Sequence, residues 1–441
     1  MAKIVREYNY DVAVIGGGTA GTACAIVCGE NGLRTVVAEK GSSLGGSQVS
    51  GLVCPFMSHH IKGMGDEPFP PILKRLVNKL REKFPDCSAN GGIRFDPNYL
   101  SLIYEEMAEA AGIDIMYDST LAYANTSGGN IESVVLATKK GLVEIKAKLF
   151  VDCTGDAILS DFAGATVFTG ENGVNQRTSL RFEMSGVDGD RLGEYLKEGG
   201  QSYSNTRETL YIDHGTCPAF KKFLNDMVEA GELTKQDISY IQAFSMPGKI
   251  GALAFNCPEL GEYGDILDPM TASKMYVDGR KAVYRLANAF IKHIPGFEEA
   301  YVSAISSMLG IRESRRVDAV YNLTAEDIIS RRKFDDAIVR SNYPIDIHGK
   351  QLSCGEIKMS EDERFYEVPF RSLIANGIDN LMVAGRCAGF DFTAQSAVRI
   401  QTTCMAMGEA CAHASAMSIK GNVPIREIDG KKLKDIMIDF E

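Results

Sequence analysis

The sequence predicts an α/β protein in which a Rossmann-like nucleotide-binding domain with a β-meander is interleaved with an α+β substrate-side domain. The stretch from Tyr10 to Lys40 reads as strand, glycine-rich turn, helix and strand, which is the order of a dinucleotide-binding unit. Alternating segments at about 120–125, 131–138 and 142–147 are separated by turn residues and indicate the meander. A later strand and helix return the chain to the first domain.

The glycine-rich turn has the spacing of a pyrophosphate-binding loop. Gly16 permits the tight turn, Gly18 lets the backbone approach a phosphate, and Gly21 permits close packing of helix on strand. The helix that follows, with Thr19 and Ala20 at its start, directs unpaired N–H groups and a partial positive charge at the same point. We therefore expect these five residues to bind a dinucleotide.

Two features follow the second strand. Glu39 ends it at the spacing where an acid accepts a hydrogen bond from an adenosine ribose hydroxyl, and Lys40 lies beside it. The glycine pair Gly45-Gly46, followed by Ser47, resembles the second fingerprint of flavoproteins with two dinucleotide-binding domains. We expect all five residues to contact the cofactor.

Two later turns extend this resemblance. Thr154, Gly155 and Asp156 follow the apolar segment LFVDC and resemble the strand that returns towards the cofactor. Gly385 and Arg386 follow NLMVA and resemble the late strand whose glycine lies against the ribityl chain. Because ligands of open α/β sheets lie at the carboxyl ends of strands, both turns are expected at one FAD molecule. Three matches in this order favour FAD over NAD.

The same resemblance implies further cofactor contacts. It places the backbone of Leu121 near the adenine, and it directs a helix predicted over 398–418 at the N1–C2=O edge of the flavin, with Ala397 and Val398 in contact. The segment from Gln48 to Lys62 would run beneath the isoalloxazine, or would be an ordinary loop, with these side chains of interest: Ser47, Gly51, Cys54, His59 and His60.

Turn clusters after residue 164 indicate a change of domain. We expect residues 1–165 to form the first part of the FAD-binding domain, 166–375 the substrate-side domain and 376–441 the second part of the FAD-binding domain. The substrate-side domain is predicted to contain helices at about 217–231, 234–243 and 271–292.

Candidate catalytic residues lie in the inserted domain. The alternation over Gly310 to Leu323 predicts a strand with Arg312 and Arg316 on one face, where two like charges need anionic partners. Those partners are either acids of the chain, which gives a structural network, or a substrate carboxylate beside the flavin. His348 follows an alternating strand-like segment and is either a proton carrier at the same site or a satisfied core histidine.

Four segments, 310–321, 334–348, 368–373 and 380–408, resemble the FAD_oxidored family of FAD-dependent oxidoreductases, which share the glutathione-reductase-like arrangement. The resemblance covers nearly the whole chain and implies flavin redox chemistry, with the substrate left open. Residues 387–392, CAGFDF, depart from the family's pattern, which places a Ser and often a His soon after AGR.

Composition excludes several classes of function. The 47 basic and 58 acidic residues give a net charge of −11, which offers no basic surface for nucleic acid. No apolar run of about 18 residues is present to span a membrane, and a cytoplasmic location is expected. The 11 cysteines contain no CxxC and the six histidines no HxH or HExxH, so no iron–sulfur or zinc site is predicted.

The combined prediction is an FAD-dependent oxidoreductase, a dehydrogenase or reductase. A hydride passes between flavin N5 and a small organic substrate, one that carries a carboxylate if the arginines face the flavin. The electron donor or acceptor is unknown, and monomer and homo-oligomer remain alternatives. A non-catalytic flavin-binding scaffold and a tRNA-modifying flavoprotein are the competing hypotheses, and the net charge disfavours the second.

Overall fold

The computed structural model has a mixed α/β fold with a parallel, Rossmann-like sheet at its centre. It describes residues 3–57, 70–85, 87–89, 92–201, 209–349, 359 and 364–438. His59 and His60 lie outside the described residues.

The first part of the chain supplies most of the central sheet. Its strands and helices, in chain order, are β1 (Ile4–Ile15), α1 (Thr19–Glu30), β2 (Thr35–Ala38), β3 (Pro55–Met57), α2 (Pro71–Lys83), β4 (Ser88–Ala89), β5 (Gly92–Arg94), α3 (Pro97–Ala110), β6 (Asp114–Met116), β7 (Thr120–Ser127), β8 (Asn130–Thr138), β9 (Gly141–Asp152) and α4 (Ile158–Phe162).

The central sheet has the strand order β6-β2-β1-β9-β8-β7. Strands β6, β2, β1 and β9 are parallel neighbours, whereas β7, β8 and β9 form the antiparallel meander. Strand β9 belongs to both parts, because its first half pairs with β8 and its whole length pairs with β1. The predicted meander strand and the segment that ends in VDCTGDA are therefore one continuous strand.

The middle of the chain forms a second sheet. Its elements are β10 (Val167–Thr169), β11 (Phe182–Ser185), α5 (Gly189–Glu198), β12 (Tyr211–Asp213), α6 (Pro218–Glu229), β13 (Gln242–Met246), β14 (Lys249–Phe255), α7 (Pro269–His293), β15 (Tyr301–Ile305) and β16 (Arg315–Val317). Five of these strands form an antiparallel sheet in the order β12-β13-β14-β11-β15. Phe182 and Phe255 stack there at 4.6 Å between ring centroids, and Phe290 of α7 packs on Phe255 at 5.7 Å.

The last part of the chain returns to the central sheet. Its elements are α8 (Ala325–Ile329), β17 (Ala337–Ser341), β18 (Tyr366–Pro369), β19 (Leu381–Val383), α9 (Phe392–Val398), α10 (Gln401–Gly421) and α11 (Gly430–Met437). Strand β19 pairs in parallel with the end of β9. Val317, Leu323 and Phe334, which lie within the predicted substrate-side range, share one hydrophobic core with Val14 and Met405.

Helices α1 and α10 pack closely beside the sheet. Gly408 permits this contact, because a Cβ atom there would lie 2.0 Å from the Ala20 carbonyl oxygen. In the part of the chain that the structure describes, no helix combines the length and the apolar character needed to cross a membrane.

Two secondary-structure predictions in the inserted region were wrong. The helix predicted over 234–243 is a turn followed by β13, because Thr234 Oγ1 donates to Asp237 Oδ2 at 2.8 Å and closes the turn locally. The strand predicted over 310–323 is confined to Arg315–Val317. The buried Glu313 breaks the alternation, since it folds back to Arg316 instead of continuing the strand.

Two further predictions near the end of the chain also need correction. The single helix predicted over 398–418 is divided at Arg399 and Ile400, and Ile400 has extended backbone angles. The break contains neither Gly nor Pro; Arg399 is held instead by the carboxylate and backbone of Asp346. His348 follows a loop and not a strand, since the Asp346 amide donates to Ser396 Oγ at 3.1 Å and no strand among the described residues pairs with the segment.

Candidate active site

The predicted cofactor turns meet at one edge of the central sheet. Ile15 of β1, Asp152 of β9 and Val383 of β19 are register partners at the carboxyl ends of three parallel strands. The next residues of each strand therefore emerge side by side, although they come from sequence positions that are far apart. This edge is where open α/β sheets bind ligands.

The first glycine turn is shaped by contacts that exclude larger side chains. Gly16 has a φ of +100°, and a Cβ atom there would lie 2.5 Å from the Cys153 carbonyl oxygen. A Cβ atom on Gly21 would lie 1.8 Å from the Gly16 carbonyl oxygen. Gly18 differs from both, because no described protein atom lies within 4 Å of its Cβ position. The turn is therefore tightly packed on the protein side and open at Gly18.

The start of α1 faces this open space. Thr22 N donates the first intrahelical bond to Gly18 O at 2.8 Å, so the amides of Thr19, Ala20 and Gly21 precede that ladder. Gly18 is the N-cap residue and has no side chain with which to cap them. A pyrophosphate fits this arrangement, since it supplies acceptors and negative charge at a helix N-terminus.

Glu39 and the second glycine pair enclose the same turn. The Glu39 carboxylate accepts from Gly17 N and from Gly41 N, each at 2.7 Å. Gly45 N donates to Gly17 O at 2.8 Å, and a Cβ atom on Gly46 would lie 2.8 Å from Gly18 Cα. The structure thus brings Glu39, the predicted ribose ligand, and the glycine pair together around the predicted pyrophosphate loop.

Three other predicted residues lie around this loop. Ser47 Oγ is 3.4 Å from Thr19 Oγ1, while Lys40 is exposed beside Glu39. The backbone of Ser119 donates to the Glu39 carbonyl at 3.0 Å, which brings the start of β7 and the half-buried Leu121 to the same side. The adenine contact of Leu121 stays a prediction.

The turns after β9 and β19 are joined by an ion pair. Arg386 Nη2 lies 2.6 Å from Asp156 Oδ1, and Ser314 Oγ donates to the same oxygen at 2.6 Å. Burial acts to raise the pKa of Asp156, but the Arg386 charge and these hydrogen bonds outweigh it and hold that pKa below its usual value. Gly155 has a φ of +75° beside the guanidinium, and Thr154 uses its hydroxyl to bind Asp152 Oδ1 at 2.7 Å.

The start of α10 carries two polar groups that sequence reasoning missed. Thr402 and Thr403 are 2% and 0% exposed, and neither hydroxyl oxygen has a hydrogen-bond partner among the described residues. The predicted flavin contacts Ala397 and Val398 are buried just before them. Buried hydroxyls are normally paired, so these two at a helix N-terminus fit a polar ligand edge such as the flavin pyrimidine. Threonines in a helix have no distinctive sequence pattern.

Arg312 and His348 belong to one cluster. Arg312 Nη2 lies 3.4 Å from Glu259 Oε1, and His348 Nδ1 is 2.5 Å from that same oxygen. His348 Nε2 is 3.2 Å from Asp346 Oδ1, and Asp346 in turn pairs with Arg399 at 3.4 Å. Because the Asp346 amide donates to Ser396 Oγ, the cluster adjoins the predicted flavin contacts.

The two carboxylates of this cluster are strongly stabilised in their charged form. Burial acts to raise the pKa of Glu259, but its hydrogen bond with His348 and the charge of Arg312 lower it. The same balance holds the pKa of Asp346 below its usual value, through His348 and Arg399. Sequence reasoning missed Glu259, which follows a Cys-Pro pair in an irregular segment and carries no motif.

Arg181 is a second residue that the sequence did not reveal. It directly precedes β11 in an ordinary strand-like segment. Burial and the charge of Arg312 lower its pKa to about 10, against the opposing effect of nearby thiol and phenol groups. The neighbouring groups that influence it include Cys54 and Tyr240, and the Tyr240 ring lies edge-on to His348 at 5.4 Å.

Arg316 makes its contacts with other residues and none with Glu259, Asp346 or His348 among the described contacts. Its guanidinium binds Glu313 Oε1 at 3.2 Å and the carbonyl oxygens of Gly170 and Phe390, and it lies over the Phe392 ring. Glu313 is fully buried. These contacts are those of the structural network that the sequence left open as one alternative, whereas Arg312 faces the histidine.

Comparison with known proteins identifies the family of the chain. The family model described as FAD dependent oxidoreductase matches residues 11–437, which is nearly the whole chain. No curated protein matches the chain. Among solved structures, p-nitrophenol 4-monooxygenase PnpA from Pseudomonas putida DLL-E4 is 13% identical, with a TM-score of 0.50 over 98% of this chain and 86% of that chain.

A geranylgeranyl bacteriochlorophyll reductase-like protein from Thermoplasma acidophilum is also 13% identical, with a TM-score of 0.47 over 98% of this chain and 84% of that chain. At such identities the structural likeness is one of fold. The family match, together with a phosphate loop and polar groups that fit the dinucleotide, decides the assignment. The chain belongs to the FAD dependent oxidoreductase family, and its cofactor is FAD.

Proposed function

We propose that the protein exchanges a hydride between flavin N5 and a small anionic organic substrate, as a dehydrogenase or reductase. The bound FAD supplies the two-electron chemistry. Support comes chiefly from the placement of His348, which Glu259 holds beside Arg312 and next to the segment predicted to contact the flavin.

Arg312 suits the binding of a substrate carboxylate. Its Nη1 donates to the Arg177 carbonyl at 2.7 Å, which fixes the side chain, and its other terminal nitrogen is only 3.4 Å from Glu259. A planar guanidinium held in this way can form two parallel hydrogen bonds with a carboxylate. In the proposal Arg312 orients the substrate, and Arg316 stabilises the fold.

His348 suits proton transfer at Nε2. Its Nδ1 is committed to Glu259 at 2.5 Å, whereas Nε2 has a longer contact of 3.2 Å with Asp346. A carboxylate on one ring nitrogen fixes the ring orientation, which leaves the other nitrogen to carry the proton that accompanies hydride transfer.

The test is a screen for substrates that bleach or restore the flavin absorption of the FAD-loaded protein without oxygen. With the substrate found, His348→Ala is expected to slow the chemical step by about 10²–10⁴ while FAD remains bound. The matched control is His413→Ala, which alters a half-buried histidine of α10. Near-wild-type kinetics of His348→Ala would remove this residue from the mechanism.

A non-catalytic flavin-binding protein is the outcome if no substrate alters the flavin. In that case the photoreduced protein would be reoxidised by oxygen or quinones at the same rate in wild type and His348→Ala. The compartment expected from the sequence, the cytoplasm, is part of the proposal.

A further inference from the structure

The arginines around His348 outnumber the carboxylates that neutralise them. Four guanidinium groups lie in or beside this cluster: Arg177 and Arg312 at Glu259, Arg399 at Asp346, and Arg181 in the segment that pairs with Glu259. Their carboxylate partners among the described residues are Glu259 and Asp346. The four guanidinium charges and two carboxylates alone leave an excess of two positive charges.

The excess is concentrated at Arg181. Arg177 and Arg312 share Glu259, and Arg399 pairs with Asp346, whereas the Arg181 guanidinium has no hydrogen bond or ion pair within the described ranges. Its backbone is fixed, since the Arg181 carbonyl accepts from Ser306 N at 2.9 Å. A half-buried arginine without an anion carries a desolvation cost that a bound anion would offset.

Arg181 is also placed where a substrate would be held. In the extended segment before β11, Ser179 pairs directly with Glu259, and Arg177 reaches the Glu259 carboxylate at 3.7 Å. Alternate residues of an extended segment share a face, so Arg181 lies on the same side as Arg177 and Glu259. Ser306 joins it to the segment predicted to run beneath the isoalloxazine, because Ser306 N donates to the Arg181 carbonyl and Ser306 Oγ donates to the Ser50 carbonyl at 3.0 Å. Arg181 therefore lies on the side of its segment that carries Glu259, the carboxylate bound by Arg312 and His348.

We infer that the substrate carries two anionic groups, one bound by Arg312 and the second by Arg181. This inference rests on the proposed function, because it uses the same site. Either a second carboxylate or a phosphoryl group satisfies the chemistry, since a guanidinium fork matches both. A substrate with one anionic group would leave Arg181 unpaired.

The experiment measures ligand binding to the FAD-loaded protein by calorimetry and by perturbation of the flavin spectrum. The probes are malonate, succinate and glutarate, each compared with the monocarboxylate of equal chain length: propionate, butyrate and valerate. The added hydrogen bonds between Arg181 and a second carboxylate are expected to make at least one dicarboxylate bind about tenfold more tightly than the monocarboxylate of equal chain length. 3-Phosphonopropionate distinguishes a second carboxylate from a phosphoryl group. If it binds more tightly than succinate, the second anionic group is identified as phosphoryl.

Arg181→Gln is expected to abolish this preference, so that each dicarboxylate binds no more tightly than the monocarboxylate of equal chain length, while FAD remains bound. The matched control is Arg315→Gln, which removes another half-buried arginine, one that is already paired with Asp161 at 3.3 Å. The inference is overturned if no dianion exceeds its monoanionic partner, or if the preference survives in Arg181→Gln.

Failure of this inference and failure of the proposed function are separable. If dianions bind in an Arg181-dependent manner but no compound changes the flavin redox state, the inference of a two-anion site is supported and the proposal of hydride exchange is rejected. If a monoanionic substrate reduces the flavin and Arg181→Gln has no effect on that reaction or on dianion binding, the proposal of hydride exchange is supported and the inference of a two-anion site is rejected.

Discussion

Arg386 and Asp156 are 230 residues apart in sequence, yet Arg386 Nη2 donates to Asp156 Oδ1 at 2.6 Å. The pair joins the turn after β9 to the turn after β19, and Ser314 from the intervening region bonds to both side chains. The three segments of the chain thus meet through charged and polar contacts at the cofactor edge. Through this contact, the segment that follows β19 becomes part of the site.

The first prediction concerns this pair. Arg386→Gln leaves the Asp156 carboxylate, which is 9% exposed, without its cation, and we expect a loss of about 3–5 kcal/mol in the free energy of unfolding. Urea unfolding of the FAD-free protein measures it. Arg75→Gln is the control, because both side chains of its pair with Glu30 are exposed and the pair should contribute less than about 1 kcal/mol. Equal losses in the two variants would contradict the prediction.

The second prediction separates folding from cofactor binding within one turn. Gly18→Ala has room for its methyl group and an allowed φ of −72°, so the FAD-free protein should change in stability by no more than about 1 kcal/mol. The methyl group would occupy the space assigned to the pyrophosphate, and FAD affinity should fall at least about tenfold.

Gly21→Ala is the comparison for that variant. Its Cβ atom would lie 1.8 Å from the Gly16 carbonyl, so we expect a loss of more than about 3 kcal/mol even without FAD. Thermal unfolding and FAD titration of both variants check the pair. Wild-type FAD affinity in Gly18→Ala would show that the pyrophosphate does not lie over Gly18.

The cofactor edge could be predicted because its geometry is encoded locally. The glycine spacing, the helix start and Glu39 lie within one short stretch, and parallel strands place their carboxyl ends together. The same reasoning placed Gly385 and Gly155 at that edge, where the register of β9 and β19 brings them.

The substrate side could not be predicted in the same way. Arg312 and Glu259 lie in irregular segments, and their pairing depends on how loops of the inserted region meet. The alternation around Arg316 suggested a strand that Glu313 interrupts, because a buried ion pair overrides the local pattern. The break of the last helix at Ile400 likewise depends on a distant residue, Asp346, and on no local breaker.

The third prediction concerns acid stability. The pKa values of Glu259 and Asp346 are lower in the folded protein than in the unfolded chain, chiefly because His348 and the arginines outweigh the effect of burial. The stability that these groups contribute is therefore fully present above their unfolded pKa values, near pH 4–5, and is lost as the pH falls through the lower folded values.

Glu259→Gln should flatten that dependence below about pH 4.5 and cost about 3–5 kcal/mol at neutral pH, because Arg312 loses a buried partner. Unfolding measured at a series of pH values checks this. The control is Glu326→Gln, which changes an exposed carboxylate of α8. An unchanged acid profile in Glu259→Gln would contradict the assignment of this carboxylate.

The last prediction distinguishes the two arginines that the sequence placed together. Arg316→Gln leaves Glu313, which is 0% exposed, without its cation, so the variant should lose about 3–5 kcal/mol of stability and retain the wild-type KM. Arg312→Gln should instead raise KM, since its guanidinium is assigned to the substrate. Steady-state kinetics with the substrate from the flavin screen, together with urea unfolding, measure both effects, and Arg315→Gln serves as the control. A raised KM with unchanged stability in Arg316→Gln would move that residue from the structural network into the substrate site.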